Sequence, residues 1–177
     1  MPDHEFIDRL LRQDSLLKVL VPTDALDREL VRELKEITSD ALASGAVVDA
    51  EMSGLVRGAL FYALDTLPEA HAIFQDAASD TGSYWHGMLH RREGDFDNAR
   101  YWFRRAGTLP VFATIHRDAS RVSELMARRT NWDPYLFTGQ CEQARFGAEE
   151  LVAELVALQR IEFDALLDYC RRKAVGG

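Results

Sequence analysis

Residues 83–107 read SYWHGMLHRREGDFDNARYWFRRAG, and this stretch decides the fold. Its Glu93-Gly94-Asp95 step is a turn signal between two segments of helical periodicity, so it predicts a helix hairpin. The 25 residues hold six aromatics, two histidines and five arginines. Two helices packed only for stability would not require that much polar chemistry. The hairpin is therefore the expected functional region.

Helical signals continue in both directions. Towards the N-terminus, Phe6, Leu10, Leu11 and Leu16 to Leu20 predict a short first helix that ends at Val21-Pro22. Asp24 is the expected cap of a second helix through Leu30, Leu34, Ile37 and Leu42, with Gly45 just past its end. A third, apolar helix spans Ala50 to Leu64. Pro68 opens a fourth at a first-turn position, where its missing N–H costs nothing. Beyond the hairpin, Pro110 interrupts, and a helix is expected over Ala113 to Arg129. Asn131-Trp132-Asp133-Pro134 is a start signal, with Asp133 as the cap. The last helix, Ala148 to Lys173, sets Leu151, Leu155, Leu158, Ala165 and Leu166 on one stripe, with Glu162 in its middle as a paired carboxylate. No alternating strand pattern lies between turn signals. The expected class is all-α, about eight helices in a single domain over residues 1–177.

Composition bounds the function. At 177 residues and 47% hydrophobic, the chain can bury a substantial core. A net charge of −8 and a pI near 5.1 argue against nucleic-acid partners and anionic membranes. The charge is uneven. From His86 to Arg129 there are nine Arg and five Asp or Glu, a balance of +4. The simple account is a basic middle packed against acidic flanks, and the sharper one is an arginine-lined pocket for an anion. Cys141 and Cys170 have no metal-type spacing, so reduced thiols are expected. The N-terminus does not read as a signal peptide, and no apolar run reaches the roughly 18 residues of a membrane span, so the expected location is cytoplasmic.

Shifting the chain against itself by 29 residues places Gly58 on Gly87, Leu67 on Phe96, Ala70 on Ala99, Phe74 on Phe103 and Ala77 on Ala106. Small residues at Gly58/Gly87 and Ala70/Ala99 allow antiparallel helices to approach closely, with phenylalanine filling the adjacent space. This pattern resembles the tetratricopeptide repeat. Residues 50–110 would form two such hairpins in a right-handed array, capped by the helices of residues 113–177. The string YWHGMLHRREGDFDNARYWFRR also resembles one in a group of bacterial and fungal hypothetical proteins, a resemblance that implies the fold and no activity. His86 and His90 depart from the repeat, standing where large apolar residues usually face the partner helix.

Two constellations follow. His86, His90 and Glu93 are spaced i, i+4, i+7 and fall within about 60° of one another on a helix, a stripe of three potential ligands for zinc, iron or manganese. His71, His116 and Glu142 are candidates for a further ligand, and the structural alternative is a pair of hydrogen-bonded, semi-buried histidines. Tyr84, Trp85, His86, His90, Arg91, Arg92, Asn98, Trp102 and Arg105 form the second constellation, an arginine, histidine and aromatic cluster suited to a peptide or small anionic ligand. Cys141 offers only a weak candidate nucleophile, and no glycine loop follows a strand to hold phosphate. The leading expectation is a helical binding module with no required cofactor. A metal-dependent enzyme and a homodimerisation domain are the alternatives.

Overall fold

The computed structural model describes residues 2–43, 45–145 and 151–177 and forms helices, with no strand among the described residues. In chain order these are α1 (Pro2–Leu11), α2 (Arg28–Glu36), a 3-10 turn (Asp40–Leu42), α3 (Ala50–Ala63), α4 (Leu67–Phe74), α5 (Asp80–Glu93), α6 (Phe96–Ala106), α7 (Phe112–Ala119), α8 (Glu124–Ala127), α9 (Pro134–Arg145) and α10 (Val152–Ala174). No described helix is long and apolar enough to cross a membrane.

Local chemistry sets the boundaries around the central hairpin. Ser79 Oγ accepts the Gly82 N–H at 3.0 Å and caps α5. Gly94 ends α5 at φ +78°, a conformation glycine adopts without a Cβ penalty. Asp95 then caps α6 through the Asn98 N–H. Glu51, in the first turn of α3, accepts the Ser79 N–H at 3.0 Å and ties the starts of α3 and α5 together.

The helices pack as sequential hairpins, α3 with α4 and α5 with α6, and the long α10 lies against α3, α7 and α9. Both glycines of the 29-residue match sit at close helix contacts. A Cβ on Gly58 would lie 2.5 Å from the Phe74 ring, and one on Gly87 would lie 2.7 Å from the Phe103 ring. Each glycine is thus a socket for the phenylalanine of its own hairpin.

Three sequence expectations are corrected. Residues 16–20 form a turn and irregular backbone rather than helix, and Leu17 is buried at φ +59°, with its carbonyl accepting from Gln159 Nε2 at 2.8 Å. The cap of α2 is Asp27, whose Oδ1 accepts the Glu29 and Leu30 N–H groups, and Ile37 is already extended. Between Ala113 and Arg129 the helix breaks after Ala119, and Ser123 caps the short α8. Asp133 caps α9 as expected, accepting from Tyr135 and Leu136 at 3.0 Å each. The expected start of the last helix, residues 148–150, lies outside the described residues.

Helix α5 has almost no solvent face: every residue from Thr81 to Arg92 is buried. Its polar side chains therefore need internal partners. Arg91 forms a buried ion pair with Glu162 of α10, including Nη1 to Oε1 at 3.3 Å, and its guanidinium lies 4.3 Å from the Phe137 ring centroid. Tyr84 donates to Glu162 Oε1 at 2.6 Å, and Trp132 Nε1 donates to Tyr84 Oη at 2.7 Å. Burial opposes the charge on Arg91, but Glu162 outweighs it and raises the guanidinium pKa further. Tyr84 is pushed well above the usual phenol range, first by burial and then by Glu162. Arg92 donates to the carbonyls of Tyr62 and Val19 at 2.7 and 3.0 Å and pairs with Asp65.

Gly87→Leu should drive a side chain into Phe103 and destabilise by about 1–3 kcal/mol or more, read as a lower midpoint in urea unfolding. Unchanged stability would contradict the socket. Glu162→Leu should cost about 3–5 kcal/mol by stranding Arg91, and adding Arg91→Met should restore most of the loss. Equal stability of the single and double variants would show that the pair is not coupled.

Candidate metal centre

The side of α5 facing α4 and α6 carries the histidines. His71 comes from α4, and His86 and His90 lie one turn apart on α5. His86 Nε2 and His71 Nε2 are 3.0 Å apart. The His86 and His90 rings stack at 4.7 Å with an interplanar angle of 19°, and the His71 ring stands edge-on to both. One ring nitrogen from each of the three histidines falls within 4.8 Å of the other two.

Glu93 lies behind these rings. Its Oε2 accepts from His90 Nδ1 at 2.8 Å, and its Oε1 is 3.5 Å from His71 Nδ1. One carboxylate therefore addresses the Nδ1 atoms of two imidazoles. A proton on Nδ1 leaves the Nε2 lone pair free, so Glu93 favours the tautomers that direct Nε2 into the cluster. Asn98 Nδ2 lies 3.2 Å from His90 Nε2 and 3.4 Å from the Nδ1 of the same ring. His86 Nδ1 is buried without a hydrogen-bond partner among the described residues.

Trp102 of α6 stacks on His86 at 4.0 Å, and the Arg105 guanidinium lies 5.2 Å from the Trp102 ring centroid. His86 and His90 are buried, whereas the side chains of His71 and Glu93 are 33% and 32% exposed. The cluster thus reaches solvent along its His71–Glu93 edge. Burial, then the charges of His90 and His71, lower the His86 pKa to about 4, so its ring is neutral at pH 7. Burial raises the Glu93 pKa, but hydrogen bonding from His90 and the charges of both histidines outweigh it and hold the carboxyl below its ordinary range.

The nine residues expected to contact a ligand are divided by this arrangement. His86, His90, Asn98, Trp102 and Arg105 are together around the histidine cluster. Tyr84, Trp85, Arg91 and Arg92 are buried in the core, on the other sides of α5. Trp85 Nε1 points at Cys170 Sγ, 3.4 Å away, and Arg91 and Arg92 are held by the ion pairs described above. These four side chains therefore form no solvent-facing groove.

Of the further metal-ligand candidates, only His71 joins the cluster. His116 Nε2 donates to the Arg129 carbonyl at 2.9 Å, and Glu142 pairs with Arg100. Glu93, expected as a ligand, instead faces the Nδ1 atoms from outside. The only sequence signal for His71 was that it follows Ala70, a packing position of the 29-residue match.

Three clustered imidazoles, two of them with Nδ1 facing Glu93, suit zinc and its late first-row neighbours. The cluster offers neither the thiolates of a soft-metal site nor the oxygen cage of calcium. Neither cysteine is near. Cys141 and Cys170 are buried, and burial is the chief cause that raises each thiol pKa to about 12. No protein-family model, curated protein or solved structure matches this chain.

Because the reactive species of cysteine is the thiolate, both thiols should resist an aromatic disulfide reagent in the native protein. Unfolding in guanidinium should release two reactive thiols per chain. Rapid native labelling would contradict the burial.

Proposed function

We propose that this protein binds a divalent transition-metal ion, zinc first among them, through His71, His86 and His90, with Glu93 orienting the ligands. The observation that carries this reading is the placement of Glu93, whose two oxygens address the Nδ1 atoms of two different imidazoles. Carboxylates in that position fix the tautomer and ring orientation of metal-binding histidines. A ring nitrogen that only fills core space does not need a shared carboxylate behind it. Three protein ligands leave at least one coordination position for water or an exogenous group, the pattern of zinc sites that act as Lewis acids. Metal chemistry at this centre would be polarisation of a bound oxygen.

The scaffold reading belongs with the site. We take Ala50–Ala106 as two tetratricopeptide-like hairpins, supported by the matching Gly58–Phe74 and Gly87–Phe103 contacts. Histidines at the junction of α4, α5 and α6 then occupy a joint of that stack. Two buried free thiols fit a reducing, cytoplasmic setting.

The test is native mass spectrometry of the chain titrated with zinc, alongside thermal unfolding. One tightly held zinc per chain is expected, together with a raised Tm, because a ligand that binds only the folded state stabilises it. His71→Ala should abolish stoichiometric uptake while keeping the native far-UV circular dichroism, since the His71 side chain is one-third exposed. Glu93→Gln should weaken binding by about 10–100-fold without removing it. Failure of the native chain to take up zinc, or full uptake by His71→Ala, would overturn the reading.

A further inference from the structure

Three neutral imidazoles contribute no negative charge to a bound dication. The carboxylate at the cluster, Glu93, does not supply it through direct ligation, because both of its oxygens are turned to Nδ1 atoms. Trp102 stacks on His86, and Arg105 lies over Trp102. Arg105 is exposed and forms no ion pair among the described residues. A free guanidinium beside a dication is electrostatically unfavourable unless an anion lies between them.

Asn98 completes the pattern. Its Nδ2 lies 3.2 Å from His90 Nε2 and 3.4 Å from the Nδ1 of the same ring, so its N–H donors stand beside the cluster. Trp102 offers a flat apolar wall on the Arg105 side.

Resting on the metal-binding reading, we propose that the centre takes a small oxyanion, a carboxylate or phosphate group, as exogenous ligand. One oxygen occupies the open coordination position, while Arg105 and the Asn98 amide are the donors for the remaining oxygens. Guanidinium groups suit this role because their forked donors match the geometry of carboxylate and phosphate. The oxyanion neutralises charge that the protein ligands leave uncompensated. The anion expected from the basic middle of the sequence thus has a specific place, beside Arg105 rather than beside the buried Arg91 and Arg92.

The experiment loads the native chain with Co²⁺ and follows its visible d–d spectrum during titration with inorganic phosphate and, separately, acetate at constant ionic strength. A saturable spectral change with at least one of the two is expected, and the stronger response distinguishes a phosphate group from a carboxylate. Arg105→Gln should raise the apparent Kd for that anion by about tenfold or more, the loss of one charge-assisted hydrogen bond. Its Co²⁺ affinity should be unchanged or higher. Co²⁺ binding with no saturable response to either anion would overturn the proposal and leave the metal site standing. An Arg105→Gln variant that titrates like the native chain would do the same. Absence of any Co²⁺ spectrum in the native chain would instead remove the metal reading, and the oxyanion with it.

Discussion

The fold depends on the burial of α5 on every side. Between Thr81 and Arg92 the helix cannot send its charged side chains to water, so each must be paired inside. Arg91 does this through Glu162 of α10, with Tyr84 and Trp132 completing the hydrogen bonding. Arg92 satisfies the carbonyls of Tyr62, in the last turn of α3, and of Val19, and pairs with Asp65, itself at φ +60°. The two adjacent arginines hold α5 to different neighbours and leave it one rotational setting. Phe103 in the Gly87 socket fixes the same helix against α6.

That rotational setting creates the histidine cluster. With Arg91 committed to α10 and Arg92 to the end of α3, His86 and His90 are turned towards α4 and α6, where His71 and Trp102 meet them. Glu93, at the last turn of α5, then reaches across both Nδ1 atoms. The stability of the core and the geometry of the site therefore share one element. Substitutions in the Arg91–Glu162 network should disturb the histidines from a distance, through the rotation of α5 rather than through contact.

Turn, cap and repeat signals marked the central hairpin, whereas the partners of its buried charges lie far along the chain. The hairpin turn at Gly94, the Asp133 cap and the glycine–phenylalanine match depend on residues close together or on repeated spacing, and these were legible. The clustering of His86, His90 and Glu93 on one face was legible for the same reason. The burial of Arg91 and Arg92 has no local signal, because arginine is ordinarily exposed and the carboxylate that allows Arg91 to be buried lies 71 residues away. His71 sits 15 residues from His86 and on another helix, so no spacing rule connects them. The break after Ala119 carries no Gly or Pro to mark it.

The most direct test of the central claim is X-ray absorption spectroscopy of the zinc-loaded protein. The account predicts a first shell of three imidazole nitrogens at about 2.0–2.1 Å with one further light-atom ligand and no sulfur. The outer-shell scattering of histidine rings should fall to two rings in His71→Ala loaded at high zinc concentration. A shell containing sulfur, or one built of carboxylate oxygens without imidazole scattering, would contradict it.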